Sequence, residues 1–92
     1  MTILDKVKKA LRIKTNAFDA ELTDLITAAR LDLGVAGVIV PAPTDELVDQ
    51  AIVTYCKLNF GLPDDADRLK RSYDEQKAQL ATNSGYTDFL GA

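Results

Sequence analysis

Residues 33–44 are LGVAGVIVPAPT, twelve consecutive residues without a charge in a chain that is otherwise rich in charged side chains. A surface connection is normally polar, because its backbone groups need water and its side chains gain nothing from exposure. This connection instead carries the aliphatic residues Val35, Val38, Ile39 and Val40. Two interpretations follow: the segment packs on the chain's own core as a short extended piece, or it contacts another subunit.

Apolar residues at helical spacing predict two helices before this segment. The first covers about residues 3–12 and begins with a capping box formed by Thr2 and Asp5. The second is capped by Asn16 and ends at Gly34. Leu31 lies opposite the apolar stripe of this second helix, so we expect its side chain to be exposed.

The third helix starts after a cap at Thr44 and continues to about Phe60. One broad apolar face contains Leu47, Val48, Ala51, Ile52, Tyr55 and Leu58. A second patch, nearly behind the first, contains Val53, Cys56 and Phe60. A helix that is apolar most of the way round is central in its fold or lies between its own core and a neighbour. We therefore expect this helix to be central and to leave apolar surface for another subunit.

The fourth helix covers about residues 64–82 and has one narrow apolar stripe, made of Ala66, Leu69, Tyr73 and Leu80. Acid-to-base pairs at four-residue spacing are predicted on its exposed side, Asp64–Arg68 and Asp67–Arg71. The sequence thus predicts a small all-α, four-helix domain over residues 1–82, with an apolar extended loop between helices 2 and 3. Residues 83–92 are expected to form a flexible C-terminal tail that a partner orders.

The composition describes one ordinary globular domain of 92 residues, with 47% hydrophobic and 27% charged residues. A chain this short has a modest core, so association would stabilise it. Its longest uncharged run is too short for a membrane span, and its first residues do not resemble a secretory signal. We therefore expect an intracellular protein without a membrane partner.

Charge is distributed unevenly along the chain. Residues 1–18 contain five basic side chains and one acidic side chain, whereas residues 19–92 contain six basic and thirteen acidic ones. If the basic patch lies on one side of the fold, copies could meet head to tail with opposite potentials facing each other. A solvated basic helix without a partner is equally compatible with this pattern.

Chemistry-bearing residues are scarce. The chain has no histidine, and its single cysteine, Cys56, lies among apolar residues of a helix and is expected to be an inert packed thiol. No phosphate-binding glycine loop occurs. Asp64, Asp65 and Asp67 are better explained by the helix dipole than by a bound cation. The sequence therefore predicts no catalytic, cofactor-binding or metal-binding residue, and no enzyme.

A small basic cluster, Arg68, Lys70 and Arg71, raises the alternative of a small helical DNA-binding or regulatory accessory protein. The acidic chain, with a pI of about 4.7, opposes the counterion-release affinity of such proteins. DNA that passes an acidic surface without specific binding is compatible with this charge.

Three segments, in order, resemble a known group: VKKALRI, FDAELTDLITAAR and LVDQAIVTYCKLNFG. They are similar to the small helical head-to-tail connector proteins of long-tailed bacteriophages, also called adaptors and often labelled DNA-packaging proteins. The resemblance covers nearly the whole chain. It implies a structural virion protein, assembled in the host cytoplasm.

The same resemblance implies a homo-oligomeric, dodecameric ring that docks beneath the portal protein, extends the DNA channel, and presents a platform for a tail-side stopper or completion protein. On this basis we predict subunit contacts at Val38, Ile39, Val40, Val53 and Phe60. The tail is predicted to reach the portal or a neighbour through Tyr86, Phe89 and Leu90.

Overall fold

A computed structural model describes residues 2–38, 46–60 and 64–82. These residues form four helices, α1 (Ile3–Leu11), α2 (Asp19–Val35), α3 (Glu46–Asn59) and α4 (Ala66–Thr82). No strand occurs within the described ranges, and the predicted small all-α fold is confirmed. None of the described helices is long and apolar enough to span a bilayer.

Several predictions concern residues outside the described ranges. They are the cap at Thr44, the extended form of the loop with Ile39 and Val40, and the tail of residues 83–92 with Tyr86, Phe89 and Leu90. These assignments stay predictions, as does the division of the chain into residues 1–82 and 83–92.

The start of α1 is fixed by the predicted capping box. The Asp5 backbone N–H donates to Thr2 Oγ1 at 3.1 Å, and the Thr2 N–H donates to Asp5 Oδ2 at 3.3 Å. At the other end, Arg12 adopts a left-handed conformation with φ of 60°. The Ile13 N–H then reaches back to the Lys8 carbonyl at 2.8 Å. This hydrogen bond satisfies the Lys8 carbonyl near the end of α1, as is typical of a helix that ends at a left-handed residue.

Among the described residues other than glycine, Arg12 alone has a positive φ. Replacing it with glycine, which adopts this conformation freely, should relieve backbone strain. We expect Arg12→Gly to raise the free energy of unfolding by about 0.5–1 kcal/mol, because glycine avoids the left-handed penalty but adds unfolded-state entropy. Ala78→Gly, at an exposed interior position of α4, should lower it by about 1 kcal/mol. Urea unfolding followed by circular dichroism measures both changes, and a loss of stability in both variants would contradict this explanation.

The predicted cap of α2 at Asn16 is wrong. The helix begins at Asp19, and the preceding residue, Phe18, makes no side-chain capping bond. Asn16 Oδ1 instead accepts a hydrogen bond from Lys8 Nζ at 2.9 Å. Lys8 also pairs with Asp19 Oδ1 at 2.8 Å. Lys8 of α1 therefore binds the Asn16 side chain, which the local sequence alone predicts to cap α2.

The predicted end of α2 at Gly34 is early, because the helix continues to Val35. Gly37, with φ of 94°, takes the left-handed position, and the Val38 N–H donates to the Leu33 carbonyl at 2.9 Å. When a helix ends at a left-handed glycine, the residue after the glycine commonly packs against the last helical turn. Val38 accordingly lies in the core beside Leu33, with 7% of its surface exposed.

The central position predicted for α3 is confirmed, because α1, α2 and α4 all pack against it. Its two predicted apolar patches are divided differently in the structure. Cys56, assigned to the second patch, is fully buried in the core, whereas Leu47, assigned to the main face, is exposed. The shared core consists of Val7, Leu22, Ile26, Ala29, Leu33, Val38, Val48, Ala51, Ile52, Cys56, Tyr73 and Leu80.

The apolar stripe predicted for α4 is largely confirmed, with Leu69, Tyr73 and Leu80 buried. The predicted charge pairs are wrong. Among the described residues, Arg68 pairs with Asp65, and Lys70 pairs with Asp74 at 3.3 Å. α4 itself begins at Ala66, so Asp65 lies just before the first turn, within reach of Arg68.

Candidate assembly surfaces

The side of α3 that its neighbours leave open forms the floor of a groove between α1 and α4. We call it the α1–α4 groove, and its volume is about 230 Å³. The residues that line it are Lys6, Glu46, Asp49, Gln50, Val53, Thr54, Lys57 and Gln76. The α3 residues among them recur at three- and four-residue intervals, which places them on one face of the helix.

An ion cluster lies at the end of the groove where α3 begins. Lys6 Nζ donates to Glu46 Oε1 and to Asp49 Oδ2, both at 2.8 Å. Asp49 is buried, and its hydrogen bond is the main reason that the pKa of Lys6 lies above its usual value, with Glu46 adding to the effect. The cluster joins α1 to the first turn of α3 and compensates a carboxylate held away from water.

Gln76 lines the groove from α4. Its Oε1 atom is buried and has no hydrogen-bond donor among the described residues. Buried polar atoms in native proteins nearly always have a hydrogen-bond partner. A donor that enters the groove would therefore gain a hydrogen bond to Gln76 Oε1.

A second candidate surface lies on α2. Asp24, Thr27, Leu31 and Val35 are all exposed, and we call this stripe the α2 ridge. Leu31 is 67% exposed, as predicted, and Val35 is 88% exposed. The pair lies four residues apart, so the side chains are neighbours on one helix face. An exposed aliphatic pair at the end of a helix provides a contact surface that a single exposed leucine would not.

The position of the ridge is secured by a contact between α2 and α4. Asp32 accepts hydrogen bonds from Tyr73 Oη at 2.5 Å and from Lys77 Nζ at 3.2 Å. The Tyr73 hydrogen bond, followed by the interactions with Lys77, holds the pKa of Asp32 below its ordinary value despite partial burial. Burial and the Asp32 carboxylate raise the pKa of Tyr73. The Tyr73 ring also packs edge-on against Tyr55, with centroids 5.3 Å apart.

A family model described as "Phage connector protein" matches residues 3–87. The chain belongs to the phage connector protein family. The match covers all four helices, and the resemblance to head-to-tail connectors is confirmed. No curated protein matches the connector, and no solved structure matches it.

Family membership gives this connector a structural role in a bacteriophage, at the junction of head and tail. The family is one of structural virion proteins, not a family of enzymes. The three sequence segments that carried the resemblance lie within the matched range, on or beside α1, α2 and α3.

The structure separates the predicted subunit contacts of the connector. Val53 is half-buried on the floor of the α1–α4 groove. Phe60 is half-buried beyond the end of α3, where its ring packs edge-on against Phe18 at 5.5 Å. Val38 lies in the core of its own subunit and has little side-chain surface left for a neighbour. The role of these residues between subunits stays a prediction.

The basic amino-terminal part of the connector is partly neutralised within the subunit. Lys6 pairs with Glu46 and Asp49, and Lys8 pairs with Asp19. The remaining basic residues of this part are exposed and carry no ion pair within the described part of the chain; they are Lys9, Arg12 and Lys14. The basic side chains of this part that have no ion pair among the described residues therefore lie at the end of α1 and in the turn that follows.

The prediction that Cys56 is a packed thiol agrees with its burial in the core. Desolvation raises the pKa of this thiol to about 11, so the reactive thiolate is scarce at neutral pH. Within residues 2–38, 46–60 and 64–82, no group of three or more metal-ligating side chains is gathered in one place.

Two features of these surfaces lie outside the predictions made from the sequence. A helix end at Gly34 assigns Val35 to the loop, although the four-residue spacing of Val35 from Leu31 is a signal that both lie on one helix face. The groove was missed because its walls come from Lys6 and Gln76, residues 70 positions apart that only the packing of α1 and α4 brings together.

Proposed function

We propose that this connector is one subunit of a ring that docks beneath the portal, joins the phage head to the tail and extends the DNA channel. The family match over residues 3–87 carries the proposal. The dodecameric number and the docking site follow from the resemblance to head-to-tail adaptors. Assembly takes place in the host cytoplasm, and the product is part of the virion.

The surface of the subunit supports assembly. A chain of 92 residues has a modest core, and here Val53 is only half covered while Leu31 and Val35 are exposed. A contact between two different surfaces repeats from copy to copy, and it closes into a ring when the rotation is suitable. Phe60 is only partly covered, and the sequence adds the apolar side chains of Ile39 and Val40, which we propose take part in such contacts.

The tail is proposed to make the second kind of contact. Tyr86, Phe89 and Leu90 follow the end of α4 and supply apolar side chains that reach the portal or a neighbouring subunit. The opposite side of the ring presents the platform for a tail-side stopper or completion protein.

DNA passes through the ring without sequence-specific binding. The net charge of −3 and the pI of about 4.7 oppose tight binding to a polyanion. The basic cluster on α4 gives little support to a DNA-binding accessory protein, because Arg68 and Lys70 are already paired with Asp65 and Asp74. Base recognition would need such side chains to be available on one exposed face.

Sedimentation velocity with the portal of the same phage tests the proposal. We expect the connector to co-sediment with the portal at a fixed stoichiometry. Deletion from Asn83 onward should weaken this docking while leaving the helical circular dichroism intact, because α1–α4 end at Thr82. A connector that sediments as a 10.0 kDa monomer beside the portal at every concentration would contradict the proposal. Retention on duplex DNA with a steep salt dependence would instead favour the DNA-binding alternative.

A further inference from the structure

We infer that the α2 ridge of one connector subunit docks in the α1–α4 groove of the next subunit. A second copy of this chain is therefore the occupant of the groove. The inference rests on the proposed ring and goes further, because it names the two surfaces that meet at each subunit boundary.

The two surfaces point to opposite sides of the molecule. On α3, the groove residues Gln50, Val53 and Lys57 lie on the face opposite the core residues Val48 and Ile52. On α2, the ridge lies opposite the buried stripe of Leu22, Ile26, Ala29 and Leu33. Because α2 and α3 pack against each other through their core faces, their outer faces are directed apart. Each copy can then bind two neighbours, one through each surface, which is the heterologous contact that a ring requires.

The groove is suited to side chains. Its volume of about 230 Å³ is several times the share of roughly 30 Å³ that one water molecule occupies in the liquid. Val53 provides the apolar part of the floor, and Leu31 and Val35 are the apolar part of the ridge. Docking would remove these aliphatic groups from water on both partners.

Charge selects one orientation of the incoming helix. If Leu31 lies over Val53 and the helices are antiparallel, Asp24 extends toward Lys57. Asp24 is seven residues from Leu31, and Lys57 is four from Val53, so the two are offset by about 4–5 Å along the helices. The long lysine stem can span that offset. Asp24 forms no ion pair within the described ranges, and Lys57 forms none either, although it lies close enough to Asp65 to help lower the pKa of that carboxyl group.

The parallel orientation is disfavoured by the same charges. It would place Asp24 toward the end of the groove where two carboxylates, Glu46 and Asp49, share the single cation Lys6, so that the cluster keeps a net negative charge. Like charges brought together at an interface are costly and suppress the wrong register. The antiparallel arrangement therefore follows from the charges of this chain.

Disulfide cross-linking between two marked chains tests the contact. Leu31→Cys and Val53→Cys chains are mixed at high concentration and oxidised mildly, alone and with the portal. We expect a covalent dimer in the mixture and little in either variant alone, because the ridge meets the groove and not a second ridge. The native Cys56 is fully buried, so the wild-type chain serves as the blank. A mixture of Leu31→Cys with Ala78→Cys, exposed on α4, is the matched control.

Charge reversal provides an independent measurement. Asp24→Lys and Lys57→Asp should each weaken assembly about tenfold, and the chain that carries both should recover most of the loss. Both positions are on the surface of the subunit, so circular dichroism should show unchanged helicity. Additive losses in the double variant would overturn the antiparallel pairing.

The outcomes distinguish this inference from the proposed function. A wild-type connector that docks on the portal while Leu31→Cys and Val53→Cys fail to cross-link would overturn the inference and leave the ring proposal standing. Equal cross-linking to Ala78→Cys would overturn it as well. A cross-link that forms only after deletion from Asn83 would show that the chain's own tail fills the groove. If the wild-type connector does not bind the portal, the ring proposal fails. Cross-linking of the isolated chains then decides by itself whether the α2 ridge docks in the α1–α4 groove.

Discussion

Replacement of Leu22 by alanine is expected to lower the free energy of unfolding by about 3 kcal/mol. Leu22 is fully buried where α2 packs into the shared core, so the truncated side chain leaves a cavity that neighbouring helices cannot fill without moving. Small domains have a total stability of about 5–15 kcal/mol, and the loss is a large share of it. Urea unfolding followed by circular dichroism measures the change.

Leu31→Ala is the matched control, since it makes the same substitution on the same helix at a side chain that is 67% exposed. We expect its unfolding free energy to change by no more than about 0.5 kcal/mol in the isolated subunit. Docking on the portal should nevertheless weaken, because Leu31 belongs to the α2 ridge. Equal destabilisation by the two substitutions would contradict the assignment of one leucine to the core and the other to a contact surface.

Replacement of Tyr73 by phenylalanine is expected to lower the free energy of unfolding at pH 7 by about 1–2 kcal/mol. The hydroxyl donates to the ionised Asp32 and joins α4 to α2, and bonds to charged groups contribute more than neutral ones. The lower part of that range applies, because Asp32 remains partly exposed to water. Tyr55→Phe is the control. It also removes a hydroxyl from a half-buried ring, one that packs on Tyr73, but it leaves the hydrogen bond between Tyr73 and Asp32 in place.

The effect of Tyr73→Phe should depend on pH in a defined direction. The pKa of Asp32 is lowered from 3.8 in the folded chain, mainly by the Tyr73 hydrogen bond. Its stabilisation is therefore complete above the unfolded pKa and is lost as the pH falls through the lowered folded value. The difference between wild type and Tyr73→Phe should be full at pH 7 and shrink below about pH 4. A difference that stays constant from pH 7 to pH 2 would contradict the role of Asp32.

Local patterns in the sequence were sufficient for much of the fold. The capping box of Thr2 and Asp5 depends on residues three apart, and helical periodicity identified all four helices and the central α3. The cap at Asn16 was predicted wrongly because Lys8, on another helix, captures its side chain. The burial of Val38 depends on the left-handed Gly37, which turns the chain back onto Leu33.

The candidate surfaces could be anticipated only in part. Periodicity placed Val53 on a face of α3 away from its main apolar stripe, and the groove floor lies there. The walls supplied by Lys6 and Gln76 depend on how α1 and α4 cross α3, which the spacing of residues within one helix does not encode. The same limit applies to charge. The charge pattern of the sequence places Lys6 and Lys8 in the basic amino-terminal part, but both are neutralised by ion pairs within the subunit.

A cryo-electron microscopy reconstruction of the portal with the connector bound would show directly how the subunits are arranged. We expect a closed ring of connector subunits on the portal axis, with Leu31 of each subunit packed against Val53 of the next. A portal that carries separate subunits, with the α2 ridge and the α1–α4 groove both open to solvent, would contradict it.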